Sequence, residues 1–353
     1  MSTEFFFFSG FCTLILAILF IDLKLIGRKS HVISLKESLI WTSVWVSVAI
    51  GFYILLLFHG EKLHGIKDLN QLLHIEKLYA PFLKIIPGEF AESLNIYRSN
   101  LATEFITGYF VEYSLSIDNV FVIMMILSSF SVKEMYFKEV LFWGILGAFL
   151  LRAFFIFVGS ALVQRFDWIL LIFGAFLLYQ GIKIFIHRNK EEETEPHNHW
   201  LVKYLSTHFR VTKQFEGSRF MVRENKKLFI TPLLIVLIMI EFTDLVFAFD
   251  SIPAVFAVTR DPFMVFFSNI FAIIGLRSLF FLLRKVVHMF HYLKVGIAFL
   301  LMFIGLKLLF HSFLYNIGFK TIYSLYIIVF ILAASIVASI LFPVKKEKPT
   351  IDI

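Results

Sequence analysis

The chain has 353 residues, of which 59% are hydrophobic and only 17% charged. Soluble domains carry about 45–50% apolar and about 25% charged residues, so this composition excludes an ordinary soluble enzyme and a charge-rich disordered chain. The one cysteine, Cys12, excludes a disulfide framework or thiolate cluster within a chain, and the net charge of +7 resides in loops, as membrane topology and anionic headgroups require, without implying nucleic acid.

Crossing the roughly 30 Å hydrocarbon core takes about 20 apolar residues in a helix. Nine runs qualify, near 5–26, 38–58, 104–130, 137–163, 167–187, 228–258, 262–284, 293–314 and 321–342. The expectation is an all-α polytopic membrane protein of about nine transmembrane helices. The first run reads as a retained span, because Glu4 stands where a signal peptide would be basic and no small-residue cleavage site follows. Residues 1–58 then form two N-terminal spans, and 59–103 a partly polar connection that fits a place on the membrane surface. Residues 104–187 and 228–314 hold three spans each, 188–227 form a loop between them, and 321–342 are the last span. Within that loop EEETEPHNHW (191–200) carries His197 and His199; a charged, disordered segment is the better reading than a metal sensor. The run 228–258 is too long for the bilayer and must tilt, break or protrude.

Lys and Arg decide orientation. With the N-terminus outside, the inner connections and their flanks hold 22 and the outer ones 8, five of those in the long 59–103 segment where the rule is weak. The predicted placement is a multi-pass plasma-membrane protein, N-terminus outside and C-terminus cytoplasmic.

The two three-span units share landmarks. Asp118 matches Asp250 at an offset of 132, Leu151-Arg152 matches Leu276-Arg277 at 125, and Gly181-Ile-Lys183 matches Gly305-Leu-Lys307 at 124. An odd number of spans per unit puts the second copy in the membrane upside down, the inverted-repeat plan of many secondary transporters. Both units open with buried-type acids in the same pattern: Glu112 and Asp118 in EYSLSIDNVFV, and Asp244 and Asp250, preceded by Glu241, in EFTDLVFAFDSIPAV. A charge at mid-membrane costs roughly 2.5–3.5 kcal/mol even on the lenient scale, so five carboxylates carry a penalty on the order of ten kcal/mol. Helix packing does not require that; a cation or a proton relay does.

These two motifs, EYSLSIDNVFV and EFTDLVFAFDSIPAVFAVTRD, with ISLKESLIWTSVWVSVAIGF upstream, resemble the TerC family of integral membrane proteins. That family takes its name from tellurium resistance and belongs to the LysE transporter superfamily. The resemblance covers about residues 1–58 and 104–342. It implies metal-ion homeostasis, with manganese export in several members. The 59–103 connection departs from the family pattern.

The residues carry the same chemistry without the name. Glu112, Asp118, Asn119, Glu241, Asp244, Asp250 and Ser251 offer hard oxygen ligands suited to Mn²⁺, Ca²⁺ or Mg²⁺. No His or Cys lies near either motif, which disfavours Zn²⁺ or Cu⁺. A spacing of six leaves two acids about 120° apart on a regular helix. Pro253 is expected to break the second motif's helix, freeing the Phe249 carbonyl, whereas the first copy has Phe121 there, with Ser114 and Ser116 as its only local polar support. Arg152 and Arg277 are expected beside the acids, either gating the site or simply pairing within the bundle; Lys183 and Lys307 read as anchors at helix ends. Asn119 and Ser251 read as ligands ahead of interhelical glue.

The reading is a transporter without enzyme activity or resident cofactor, exporting a divalent cation, by preference Mn²⁺, through one central carboxylate site. Protons are a candidate coupling ion, since five acids and two arginines sum to −3 and one M²⁺ leaves −1. The runner-up is an aspartyl intramembrane protease, although its YD and GxGD contexts are absent: Asp118 follows Ile117, and Asp250 follows Phe249. A non-transporting stress scaffold is the third reading.

Overall fold

A computed structural model describes residues 3–26, 34–81, 83, 85–86, 88–166, 168–187, 199–212, 214–224, 227–286 and 292–342. Among them are 13 α-helices and one two-stranded hairpin. Helices α1 (Thr3–Ile26) and α2 (Leu35–His59) precede α3 (Glu61–His64) and α4 (Leu69–Tyr79). Then come α5 (Phe90–Ser129), α6 (Phe137–Arg165), α7 (Trp168–Ile186) and α8 (Trp200–His208). Strands β1 (Met221–Glu224) and β2 (Lys227–Ile230) lead into α9 (Pro232–Phe256), α10 (Pro262–Val286) and α11 (Leu293–Leu309). Helices α12 (His311–Asn316) and α13 (Thr321–Leu341) complete the order.

Seven helices are long and apolar enough to cross a membrane: α2, α5, α6 with the turn before it, α7, α9, α10 and α13. The two other runs read from the sequence are α1, whose apolar stretch among the described residues is the shorter Phe6–Ile15, and α11, which at 17 residues is slightly shorter than the seven spans. Large apolar side chains such as Phe154, Leu171 and Phe330 stand exposed along these helices, which a lipid environment accepts and water does not.

Local signals place the helix starts. Ser34 caps α2 by accepting from the Glu37 amide at 3.1 Å, and Asp68 caps α4 by accepting from the Gln71 amide at 2.9 Å. Pro232 sits in the first turn of α9, where its missing N–H costs nothing. The antiparallel hairpin pairs Met221 with Ile230, and Thr231 Oγ1 donates to the Arg219 carbonyl at 2.8 Å, tying the hairpin to α9. The 188–227 segment is therefore not a plain loop: it holds α8 and β1, and the stretch expected to be disordered ends in the ordered start of α8 at His199 and Trp200, while His197 lies outside the described residues.

Helix α10 is the axis of the bundle, with 94% of its apolar window buried against α2, α5 and α6. Phenylalanines fill the space at one end of it: Phe11 to Phe267 at 4.3 Å, Phe52 to Phe105 at 4.8 Å and Phe8 to Phe157 at 5.3 Å between ring centres. The most extensive helix contact joins α7 to α11. A Cβ on Gly305 would lie 2.6 Å from the Leu178 amide nitrogen, and one on Gly181 2.8 Å from the Ala298 carbonyl. Backbone cannot yield as a side chain can, so the two glycines paired in the sequence repeat are what let these helices touch.

The 59–103 connection is ordered helix for much of its length. It holds α3 and α4, and α5 begins at Phe90, fourteen residues before the expected span. At 40 residues α5 extends about 60 Å, twice the hydrocarbon thickness. Ser93 at its outer end bonds the Ile86 carbonyl at 2.9 Å.

His64 ties this cap to two other segments. Its Nδ1 meets Glu4 Oε1 of α1 at 2.7 Å and its Nε2 meets Asp261 Oδ2, between α9 and α10, at 2.9 Å, with the side chain fully buried. Burial alone would lower the imidazole's pKa; the Asp261 and Glu4 carboxylates outweigh it and push it up to about 9. Because the folded value lies above the unfolded one, the stabilisation is complete below about pH 6.5, declines above it and is lost as pH rises through about 9. The shift corresponds to about 3 kcal/mol. Thermal unfolding in detergent should show a melting temperature falling between pH 7 and 10, and His64→Gln should flatten that decline; an equal decline in the variant would assign it to other groups.

Candidate metal centre

Four helices deliver polar groups to one fully buried point. Glu112 comes from α5, Arg152 from α6, Asp244 from α9 and Asn269 from α10. Arg152 is 1% exposed and Glu112 0%. One terminal nitrogen of Arg152 donates to Glu112 Oε1 and, at 2.7 Å, to Asn269 Oδ1. The other donates to Asp244 Oδ1 at 2.9 Å, with Nε 3.4 Å from Asp244 Oδ2. The planar fork allows this: a guanidinium serves several oxygens at once where an ammonium could not. Asn269 is held in turn by its own amide, which donates to the Val265 carbonyl at 3.1 Å. Glu112 and Asp244 are the two acids that the sequence comparison aligned, and one arginine pairs both.

Not every buried oxygen here is bonded to Arg152: Glu241 Oε2 has no hydrogen bond, and Glu112 Oε2 has only the Ser251 hydroxyl within reach, outside ordinary hydrogen-bond geometry. Ser251 lies close to the Glu112 carboxylate, and Glu241 feels the charge of Asp244. The Glu241 carboxylate occupies the space a side chain at Gly147 of α6 would take, so a substitution there would displace that carboxylate from its present position. Buried orphan acceptors are uncommon in folded proteins, and a cation would satisfy them.

The second acid of each motif turns elsewhere. Asp250 accepts from Gln180 Nε2 of α7 at 3.1 Å, with the Lys183 charge nearby. Asp118 faces the charge of Lys294 on α11. Each therefore meets the third helix of the opposite unit. Asn119 is buried on α5, 4% exposed, and Arg277 is buried on α10, 8% exposed, away from lipid.

Two expectations need correction here. Pro253 does not break α9 at Asp250: the helix runs on to Phe256 with the proline inside it, since a proline removes a single backbone bond, the one to the Phe249 carbonyl, and the flanking bonds hold the turn. The six-residue spacing therefore keeps its 120° offset, which sends Asp244 to α6 and Asp250 to α7. Helix α5 is likewise continuous, with the Ser114 hydroxyl returned to the Phe110 carbonyl. Among the described residues no group of three or more His, Cys, Asp or Glu is gathered as a metal cage. The proposed ligands are thus spread out: Glu112, Glu241, Asp244 and Ser251 lie at or beside the Arg152 cluster, Asp118 and Asp250 flank it, and Asn119 follows Asp118 along α5.

Sequence reasoning missed Asn269, Gln180, Lys294, His64 and Glu104. Glu104 on α5 is 6% exposed and accepts from Thr259 Oγ1 and Asn100 Nδ2, both at 2.7 Å, with the Lys307 charge nearby. Lys307 accordingly faces a carboxylate and lines a cavity of 720 Å³ at this end of the bundle. His199, considered as a metal sensor, instead caps α8 by accepting from the Leu201 amide at 3.3 Å and packs on Phe242.

The chain matches the model of the integral membrane protein TerC family over residues 97–348. It is 40% identical over 346 residues to a protein of Myxococcus xanthus described as "Uncharacterized membrane protein STKORF319", covering 98% of this chain and 94% of that one. It is also 40% identical over 301 residues to the "Putative membrane-bound redox modulator Alx" of Escherichia coli strain K12, covering 85% and 84%. A Rickettsia bellii "Uncharacterized membrane protein" is 36% identical over 304 residues, covering 86% and 88%. No solved structure matches. With the family model spanning most of its length and its acidic helices assembled as described, this chain belongs to the TerC family of integral membrane proteins.

Proposed function

We propose that this protein moves a divalent metal cation, by preference Mn²⁺, out of the cell across the plasma membrane. The observation that carries the reading is the pair of buried carboxylate oxygens beside the cluster that take no bond from Arg152, Glu112 Oε2 and Glu241 Oε2, with the Ser251 hydroxyl close to the first. An Arg–carboxylate cluster built only for packing would close its acceptors; this one leaves hard oxygens open in a place where each costs free energy. A cation entering there meets acids of both units. Arg152 is then the counter-charge that keeps the empty site tolerable and gives way when the ion arrives.

The distribution of acids suits passage better than storage. Asp118 and Asp250 flank the core on opposite units, so an ion exchanges carboxylates stepwise without one deep cage to leave. The inverted repeat gives this arrangement its alternating-access logic, with the two units rocking about the shared arginine. Protons are the coupling ion of choice, because each carboxylate vacated by a metal is a proton acceptor.

The redox description borne by some relatives finds little footing in this chain's side chains, since a dithiol couple needs two cysteines and the sequence has only Cys12. The protein reconstituted in liposomes, with a panel of Mn²⁺, Ca²⁺, Mg²⁺ and Zn²⁺ and a trapped pH dye, tests the proposal. Protein-dependent Mn²⁺ flux accompanied by counter-movement of protons is expected; absence of flux for every metal would overturn it.

A further inference from the structure

The loop 257–261 between α9 and α10 carries three polar side chains, Thr259, Arg260 and Asp261, and the first and last of them tie it to other segments. Thr259 Oγ1 donates to Glu104 on α5 at 2.7 Å and accepts from the Asp261 amide at 3.1 Å. Asp261, 1% exposed, accepts from the Phe263 amide at 2.9 Å and meets His64 Nε2 at 2.9 Å. Residues Ala257 to Arg260 form a wall of the 720 Å³ cavity, which Glu104 and Lys307 also line. Glu104 stands eight residues before Glu112 on one continuous helix, so the cavity reaches to within about 12 Å of the Arg152 cluster along the axis. The loop continues directly from the helix that carries Asp244, Asp250 and Ser251.

We infer that this cavity is the outer mouth of the ion path, that the 257–261 loop is its gate, and that His64 is the latch holding the gate to α1 and to the cap. The inference rests on the transport reading above. The latch works because an imidazolium donates from both nitrogens and so serves Glu4 and Asp261 together, whereas a neutral ring donates from one and leaves the other carboxylate facing a lone pair. The ionisable groups that meet His64 are Glu4 on α1, Asp261 and Tyr79 on α4; Tyr97 and Glu104 on α5 act on Asp261, whose chain neighbour is Arg260, and His59 of α2 and Arg98 of α5 act on the adjacent Glu61. Tyr79 and Phe263 rings, centred 5.3 and 5.6 Å from the imidazole, keep water from replacing the lost bond. Its raised pKa places latch release on the alkaline side of neutrality. Opening therefore requires Asp261 to leave His64 and Thr259 to leave Glu104, and it frees the end of α9 nearest the proposed ligands.

Hydrogen exchange read by mass spectrometry on the full-length protein in detergent tests the gate without relying on transport. Peptides covering 257–263 should exchange at least about tenfold faster in His64→Gln than in wild type at pH 7, and Asp261→Asn, which keeps shape and volume, should do the same. In liposomes the wild-type Mn²⁺ rate should rise as pH approaches about 9, and His64→Gln should be faster at pH 7 with a flattened profile. Unchanged exchange in both variants overturns the gate whatever the transport result. Faster exchange with no Mn²⁺ flux from wild type upholds the latch as a structural device and overturns the transport reading alone. Wild-type flux with the same pH profile in His64→Gln overturns the latch's role in opening.

Discussion

Arg152→Leu is expected to destabilise the protein more than any other single substitution in the bundle. The change removes the only positive charge bonded to Glu112 among the described residues, and with it the partner of Asp244, so two carboxylates from different units lose their counter-charge in a dry core. Breaking a buried pair by removing one partner costs about 3–5 kcal/mol, and here one cation serves two anions. The measurement is thermal unfolding and monodisperse yield in detergent, with a large fall in both. Arg152→Lys should recover part of the loss, since it restores charge but cannot offer separate nitrogens to both acids and to Asn269. Combining Arg152→Leu with Glu112→Gln and Asp244→Asn should recover stability without recovering Mn²⁺ flux, because the uncompensated charges have gone along with the ligands. Wild-type melting in Arg152→Leu would show that the cluster contributes nothing to the fold.

Asp118→Asn and Asp250→Asn should have the opposite signature, an intact fold with Mn²⁺ flux lowered by at least about 100-fold, as expected when a hard-cation path loses ligand charge. Neither residue forms an ion pair within the hydrogen-bonding limits that hold Glu112 and Asp244: Asp250 accepts from a neutral amide, and Asp118 sees Lys294 only through its field. Asn keeps the volume and can still accept from Gln180. Stability should then be near wild type or slightly raised, since a buried charge has been removed. Flux in proteoliposomes against melting temperature separates the two outcomes. Normal flux in either variant would remove that residue from the ion path.

What could be read in the residues, and what could not, follows from how costly each feature is in a membrane. Glu112, Asp118, Asp244 and Asp250 stood out because an acid in an apolar run needs a reason. Asn269 and Gln180 did not, because a single neutral amide in such a run is common and can be satisfied by any neighbouring helix. His64 gave no signal at all: its partners lie 60 and 197 residues away in sequence, in segments of unrelated character. The arginine aligned between the units proved informative for Arg152, whose acids come from both, and the shared glycines marked the α7–α11 contact. Pro253 misled for a simple reason. A proline removes one N–H, and a single lost bond can bend a helix without ending it; α9 keeps its helical path for three residues beyond. The polar 59–103 stretch looked like a surface connection because α5 outruns the bilayer, so its first turns carry a water-facing composition on what is nonetheless the same rod.

That rod has a mechanical consequence. A continuous helix of 40 residues, twice as long as the hydrocarbon core is thick, is a lever with one arm inside the lipid and one beyond it. Ser93 lies nineteen residues from Glu112, about 28 Å along the axis, so a tilt of about 10° pivoting at Glu112 swings the far end by about 5 Å. A sub-ångström adjustment at the carboxylates is thereby magnified into a displacement that a distance probe on the external arm can register. A spectroscopic label near Ser93, paired with one on the periphery of α13, would turn the protein into its own gauge of ion occupancy.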